Sequence, residues 1–207
     1  MKPQRLFAVL ALLACASTGV QAQSPEPGQL LVAAPALDDP NFGETVFLVL
    51  LNDGDGSRAV ALNRPTWVSP AEAFPAVGEL AAADDTLFFG GPVGSNQLVI
   101  VFDAGDSDPP TARRVFGSIY LTTDPGVLSN LAPAADGQPR FRLFAGHAAW
   151  APGQLEAEIA GGNWRTLNAS PAQIFGGDPA TLWDRLPTTG AGGVSAMLRG
   201  PQSFSIE

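Results

Sequence analysis

The sequence predicts a small single-domain α+β protein. Three observations lead there. Apolar residues make up 45% of the 207-residue chain, with 12 Phe and 4 Trp, which is enough for a packed core and argues against disorder. Short β-branched and apolar runs bounded by turn residues cluster along the chain. Short helices are scattered among them without strict strand–helix alternation, which disfavours a doubly wound parallel sheet. The 23 Gly and 19 Pro fit many turns and short elements.

The strand candidates run in order. Gln29–Ala34 comes first. Thr45–Leu51 (TVFLVLL) is apolar throughout and reads as a central strand. The turn-rich Asn52-Asp53-Gly54-Asp55-Gly56 returns the chain into Arg58–Leu62, a hairpin by spacing. Thr86–Phe89, Gln97–Phe102, Ser118–Thr122 and Phe141–Ala145 follow, with Trp164–Leu167 the weakest pattern.

Helix starts share one device. Ser69-Pro70, Asp124-Pro125, Ser170-Pro171 and Asp178-Pro179 each place an N-cap residue before Pro. The cap side chain accepts an orphan backbone N–H, and Pro fits the first helical position because its missing donor is not needed there. A fifth start, at Pro152, leads into Gln154–Ile159. Leu155 and Ile159 share a face there, and Gly161-Gly162 stops the helix.

The N-terminus carries the clearest targeting signal. Lys2 and Arg5 precede an apolar run, Leu6–Ala16, and the small and polar Ser17–Ala22 suits a cut after Ala22. The run is shorter than the roughly 20 residues a membrane span needs, so residues 1–22 read as a secretory signal peptide. Export to the periplasm or medium is the expectation. Leu12-Leu13-Ala14-Cys15 also resembles a lipobox; lipidation of Cys15 would anchor the protein to a membrane. The organisation expected is a signal peptide at 1–22, a polar leader at 23–27, the domain at 28–190, and a Gly-rich tail at 191–207 in which Phe204 and Ile206 are available to dock.

Composition narrows the function classes. The formal charge is −9, and residues 1–22 hold two basic residues and no acid, so the remainder is more acidic still. Such a body repels phosphate backbones, and no basic patch appears; nucleic acid is not an expected partner. Beyond the signal segment there is no Cys, hence no thiolate nucleophile and no Cys metal site.

Several motifs each admit two readings. Gly90-Gly91-Pro92-Val93-Gly94 can expose backbone N–H groups to an anion, but it lacks the Lys-Ser/Thr of a nucleotide loop and also reads as a tight turn between two strands. Arg64, in Asn63-Arg64-Pro65, can bind a carboxylate or phosphate, or serve structure by pairing an acid or bonding loop carbonyls. His147 is the only histidine; it stands in Gly146-His147-Ala148-Ala149-Trp150, placed by pattern in a strand-to-helix loop. It can be a general base or a packing residue; a metal site would need more His or Cys. Ser195 lies in a sequence that lacks the last Gly of a nucleophile elbow. Asn52–Gly56 lacks the distal Glu of a calcium loop, and Asp38-Asp39-Pro40 reads as turn initiation. No cofactor or metal is expected, and no catalytic set is complete.

Taken in order, these segments resemble the YqgE/AlgH family. The resemblance is carried by Gly28–Pro35, Asp39–Phe42, Ala61-Leu62-Asn63-Arg64-Pro65 and Phe89-Gly90-Gly91-Pro92-Val93. It is strongest over Gly146–Ile159 (GHAAWAPGQLEAEI) with Trp164 following. It covers about Gly28 to Leu186. It implies an α+β fold, a mainly antiparallel sheet wrapped toward a pseudo-barrel with several short helices, and no defined catalytic residues. A regulatory role has been proposed for some members. Where the family has Glu-His-Asn at the end of the second strand, this chain has Leu51-Asn52-Asp53. The export signal is a larger departure.

The expectation is therefore a non-enzymatic binding or accessory protein of the bacterial envelope, with an unidentified protein or small-molecule ligand. Its site is expected around Asn63, Arg64, Gly90, Gly91, Pro92, His147 and Trp150. The rivals are a hydrolase using His147 with a distant Ser or Asp, and a transcriptional regulator, the latter by family analogy alone.

Overall fold

The continuous apolar run of the second strand explains the architecture, because both its faces are covered. The structure is a computed structural model describing residues 24–80, 85–131 and 140–187. Residues 1–23, with the expected signal peptide and Cys15, and the tail with Ser195, Phe204 and Ile206, lie outside the described residues. Among those described there are nine strands: β1 (Gln29–Ala33), β2 (Val46–Asp53), β3 (Gly56–Ala61), β4 (Leu87–Phe89), β5 (Val93–Asp103), β6 (Arg113–Phe116), β7 (Ile119–Thr122), β8 (Phe141–Trp150) and β9 (Trp164–Asn168). They form one sheet in the order β6-β7-β5-β8-β3-β2-β1-β9, with β4 added on β8. Every pairing is antiparallel except β4–β8.

The sheet curls into a half-barrel. Its inner face collects Leu30, Leu48, Val60, Val101 and Phe144 from the middle of the sheet and Val115 and Ile119 from β6–β7. The far ends approach each other: Phe116 of β6 packs so tightly on Gly28, next to β1, that a Cβ there would lie 2.6 Å from its ring. Helices α3 (Pro171–Phe175) and α4 (Leu182–Arg185) add Ile174, Phe175 and Leu182 to the same core. Fully burying each such side chain is worth roughly 1.5–3 kcal/mol.

Two outer layers complete the α+β packing. Phe47, Val49, Ala59, Ala148, Trp150 and Trp164 are covered by α2 (Gln154–Ala160) through Leu155 and Ile159. Ile100, Phe102, Tyr120 and Leu143 are covered by Phe74, at the end of α1 (Pro70–Ala73), and by Leu80 and Val127 from 3-10 turns. The four Ser/Asp-Pro starts all form caps: Ser69, Asp124, Ser170 and Asp178 each accept a backbone N–H. Asp124 and Asp178 open 3-10 turns rather than α-helices.

Two expectations are corrected at β8. His147 and Trp150 do not lie in a strand-to-helix loop; β8 continues through Trp150. Gly146, at φ 68°, is the reason. Leu143 and Ala148 are five residues apart yet both pack away from the inner core, which the strand's period of two forbids without an irregularity between them. Gly146 supplies it, and the strand bends without ending.

Nor is Gly90-Gly91-Pro92 a tight hairpin turn. β4 and β5 do not pair with each other; both pair with β8, over the same Leu143–Ala145 stretch, on opposite sides of it. The chain crosses β8 to get from one side to the other. Gly90 N–H donates to the Ala145 carbonyl (2.9 Å), and its own carbonyl accepts from Ala61 N–H (3.0 Å). A Cβ on Gly90 would sit 2.2 Å from the Gly146 oxygen, and one on Gly91 2.3 Å from the Ala148 nitrogen. Glycine is required here for backbone-to-backbone approach, not for exposing donors to an anion.

Candidate functional site

The crossover walls one side of a cleft. Pro92 faces Ala148 and Trp150 of β8; the opposite wall is the Leu37–Phe42 loop, and the floor is α2 with Trp164 of β9. The cleft holds about 230 Å³.

Its polar centre is Glu158. Both Trp150 Nε1–H (3.0 Å) and Trp164 Nε1–H (2.7 Å) donate to Oε2, while Gln154 Nε2–H donates to Oε1 (2.9 Å). Leu155 is buried on the same helix, which faces Glu158 toward the two tryptophans one turn along. The rings stand perpendicular, 6.2 Å apart, and both pack edge-on against Phe47. Such edge-to-face sets favour one arrangement of the three rings.

The loop wall is built by local turns. Asp39 Oδ1 accepts from Asn41 N–H (2.8 Å) and Phe42 N–H (3.0 Å), the turn role expected from Asp-Pro. Phe42 leans on Phe47 and Trp164. Asn63 and Arg64 hold the loop from behind. Asn63 accepts from Val46 N–H and donates to the Glu44 carbonyl; Arg64 donates to the Gly43 carbonyl (2.6 Å) and to Thr45 Oγ1 (2.8 Å). Of the two readings open for Arg64, the geometry takes the one that bonds loop carbonyls.

His147 lies half-buried at the bend, opposite Val93. Burial, and secondarily the positive charge of Arg58, hold its imidazole pKa below the ordinary value of 6.5. The charge beside it is a cation, the opposite of the carboxylate that orients a triad histidine.

Of the seven residues singled out by sequence, two line the cleft, and the other five lie in the elements next to it. Pro92 and Trp150 line it, Gly90 and Gly91 shape the crossover, His147 flanks the bend, and Asn63 and Arg64 fix the loop. Sequence reasoning missed Glu158, Trp164 and Phe42 as its core. Glu158 and Trp164 were visible only as members of the Gly146–Trp164 motif; two Trp and a helical Glu become a unit only when β9 returns beside β8's far neighbours. Among the described residues there is no group of three or more His, Cys, Asp or Glu placed to hold a metal.

Comparison with known proteins places this geometry. The DUF179 model, described as AlgH-like, matches residues 30–191. The chain belongs to this family. A UPF0301 protein of Streptomyces coelicolor is 35% identical, over 91% of this chain and 99% of its own length. One from Streptomyces avermitilis is 39% identical over 80% and 87%. The solution structure of AlgH from Pseudomonas aeruginosa superposes with a TM-score of 0.60 at 25% identity, covering 86% of this chain and 98% of that one. A crystal structure of a Corynebacterium diphtheriae protein gives 0.66 at 27% identity, covering 80% and 89%. The AlgH-like family carries the half-barrel.

Proposed function

We propose that this AlgH-like protein is a non-enzymatic binding or accessory protein of the bacterial envelope, working through the Trp150–Glu158–Trp164 cleft. One observation carries the binding reading. The cleft's two carboxylates bond its own frame: Glu158 ties two indoles and a glutamine, and Asp39 ties its own turn. The result is a concave surface on which Leu37, Phe42 and Pro92 stand beside Gln154 and Asn163, a mixture of apolar and polar groups suited to recognition. The envelope location is supported by the charged, apolar and small-residue sequence of positions 1–22.

Two experiments test the two halves. Cell fractionation with mass spectrometry of the N-terminus should find a chain starting at Gln23 in the periplasm or medium, or one starting at a lipidated Cys15 in a membrane. An intact Met1 in the cytosol would remove the envelope role. A hydrolase activity screen on wild type and His147→Ala should find no turnover; turnover abolished by the substitution in a folded variant would overturn the non-enzymatic reading.

A further inference from the structure

Resting on the binding reading above, we infer that the cleft takes a small organic cation: an ammonium group carrying alkyl substituents. Three features of the cleft point there. First, two carboxylates, Asp39 and Glu158, line it, and none of its lining residues is basic. Neither is neutralised internally; the ion pair among the described residues is Arg114–Asp108, elsewhere on the surface. Second, both carboxylates have acceptor capacity left. Glu158 accepts three hydrogen bonds where a carboxylate offers about four lone-pair sites. Asp39 uses Oδ1 for its turn, and no hydrogen bond from a described residue reaches Oδ2.

Third, beside the neutral polar Gln154 and Asn163 the cleft offers apolar lining from Leu37, Phe42 and Pro92, with small exposed parts of Trp150 and Trp164. A strongly hydrated metal ion gains nothing from such walls, whereas the alkyl groups of an ammonium do, and π-faces attract its charge. Size fits too. At about 230 Å³ the cleft is below the range of drug-sized sites and suits a headgroup-sized ligand. The whole chain, at −9, adds a long-range field of the same sign, so a cation is drawn in and an anion repelled.

The Trp150 and Trp164 indole N–H groups bond the same oxygen of Glu158, so they report directly on any ligand reaching that carboxylate. The test is NMR of the indole N–H signals of the full chain, titrated with choline, with 3,3-dimethylbutanol (its uncharged carbon isostere) and with butyrate. Choline should move the Trp150 and Trp164 signals and leave that of Trp67, which is fully exposed elsewhere. Its affinity should fall with added salt and fall about tenfold in Asp39→Asn, a substitution that keeps an oxygen for the turn. If the isostere or butyrate moves the same two signals as tightly as choline, the cation inference is wrong while the binding reading stands. If no probe moves them, and a fragment library also leaves them in place, both fall.

Discussion

Gly91 lies flat against His147: a Cβ on Gly91 would come within 2.3 Å of the His147 carbonyl carbon. The contact is backbone on backbone, so no rotamer change relieves it. Gly91→Ala should destabilise the fold by roughly 3 kcal/mol or more, read as a lower urea midpoint at unchanged slope. Gly54→Ala is the control. Nothing lies within 4 Å of its Cβ position, and the substitution should stay within about 0.5 kcal/mol.

Glu158→Ala should cost about 2 kcal/mol, because two indole N–H groups lose a charged acceptor in a partly buried setting. Trp fluorescence should change with it, since the rings lose their tether. Glu158→Gln keeps one carbonyl oxygen as acceptor and should cost less. Equal costs would mean that the aromatic packing alone fixes the tryptophans.

What was legible in the sequence was local. Ser69, Asp124, Ser170 and Asp178 cap their turns because a cap needs only the next three residues. The β2–β3 hairpin follows from its short turn, and β2's unbroken apolar run from burial on both faces. The crossover was not legible. The Gly146 carbonyl excludes a side chain at Gly90, and the Gly91 and Val93 carbonyls exclude one at Gly146, across more than fifty positions, and Gly-Gly-Pro looks the same in sequence whether it turns or crosses. The end of β8 was misplaced for the same reason: Gly146 ends a strand by local rules, and only its pairing with neighbours on both sides carries the strand on. The charge-rich β6 lacked any apolar run and was passed over; it is an edge strand, with Arg113 and Arg114 exposed.

His147 gives the fold a defined acid response. Its folded-state affinity for a proton is lowered by burial and by Arg58, while the unfolded chain keeps the ordinary value near 6.5. The unfolded state therefore binds more protons in the window below that value, and stability falls as pH drops through it. The contribution is fully present above about 6.5. His147→Asn should flatten the stability profile between pH 7 and 5 in urea titrations. A profile as steep as wild type would place the acid sensitivity elsewhere.

Arg142 is a buried cation, 8% exposed, on the inner face of the half-barrel. Its Nη1–H donates to the Leu62 carbonyl (2.8 Å), and the guanidinium lies 4.6 Å from the centre of the Phe88 ring. Burial pushes its pKa down to about 10, still well above physiological pH, so it stays charged. Two effects can be separated by substitution. Arg142→Met keeps an apolar stem against Phe88 but leaves the Leu62 carbonyl without its donor, which should cost about 1–2 kcal/mol. Arg142→Ala loses the packing as well and should cost about 3 kcal/mol. If Met matched Ala, the guanidinium would carry the whole effect. Leu62 immediately precedes Asn63 and Arg64, which bond the Gly43–Thr45 segment next to the Leu37–Phe42 loop. Loss of the Arg142 bond should therefore also raise hydrogen exchange at Val46 N–H, whose acceptor is Asn63, before any global unfolding is detected.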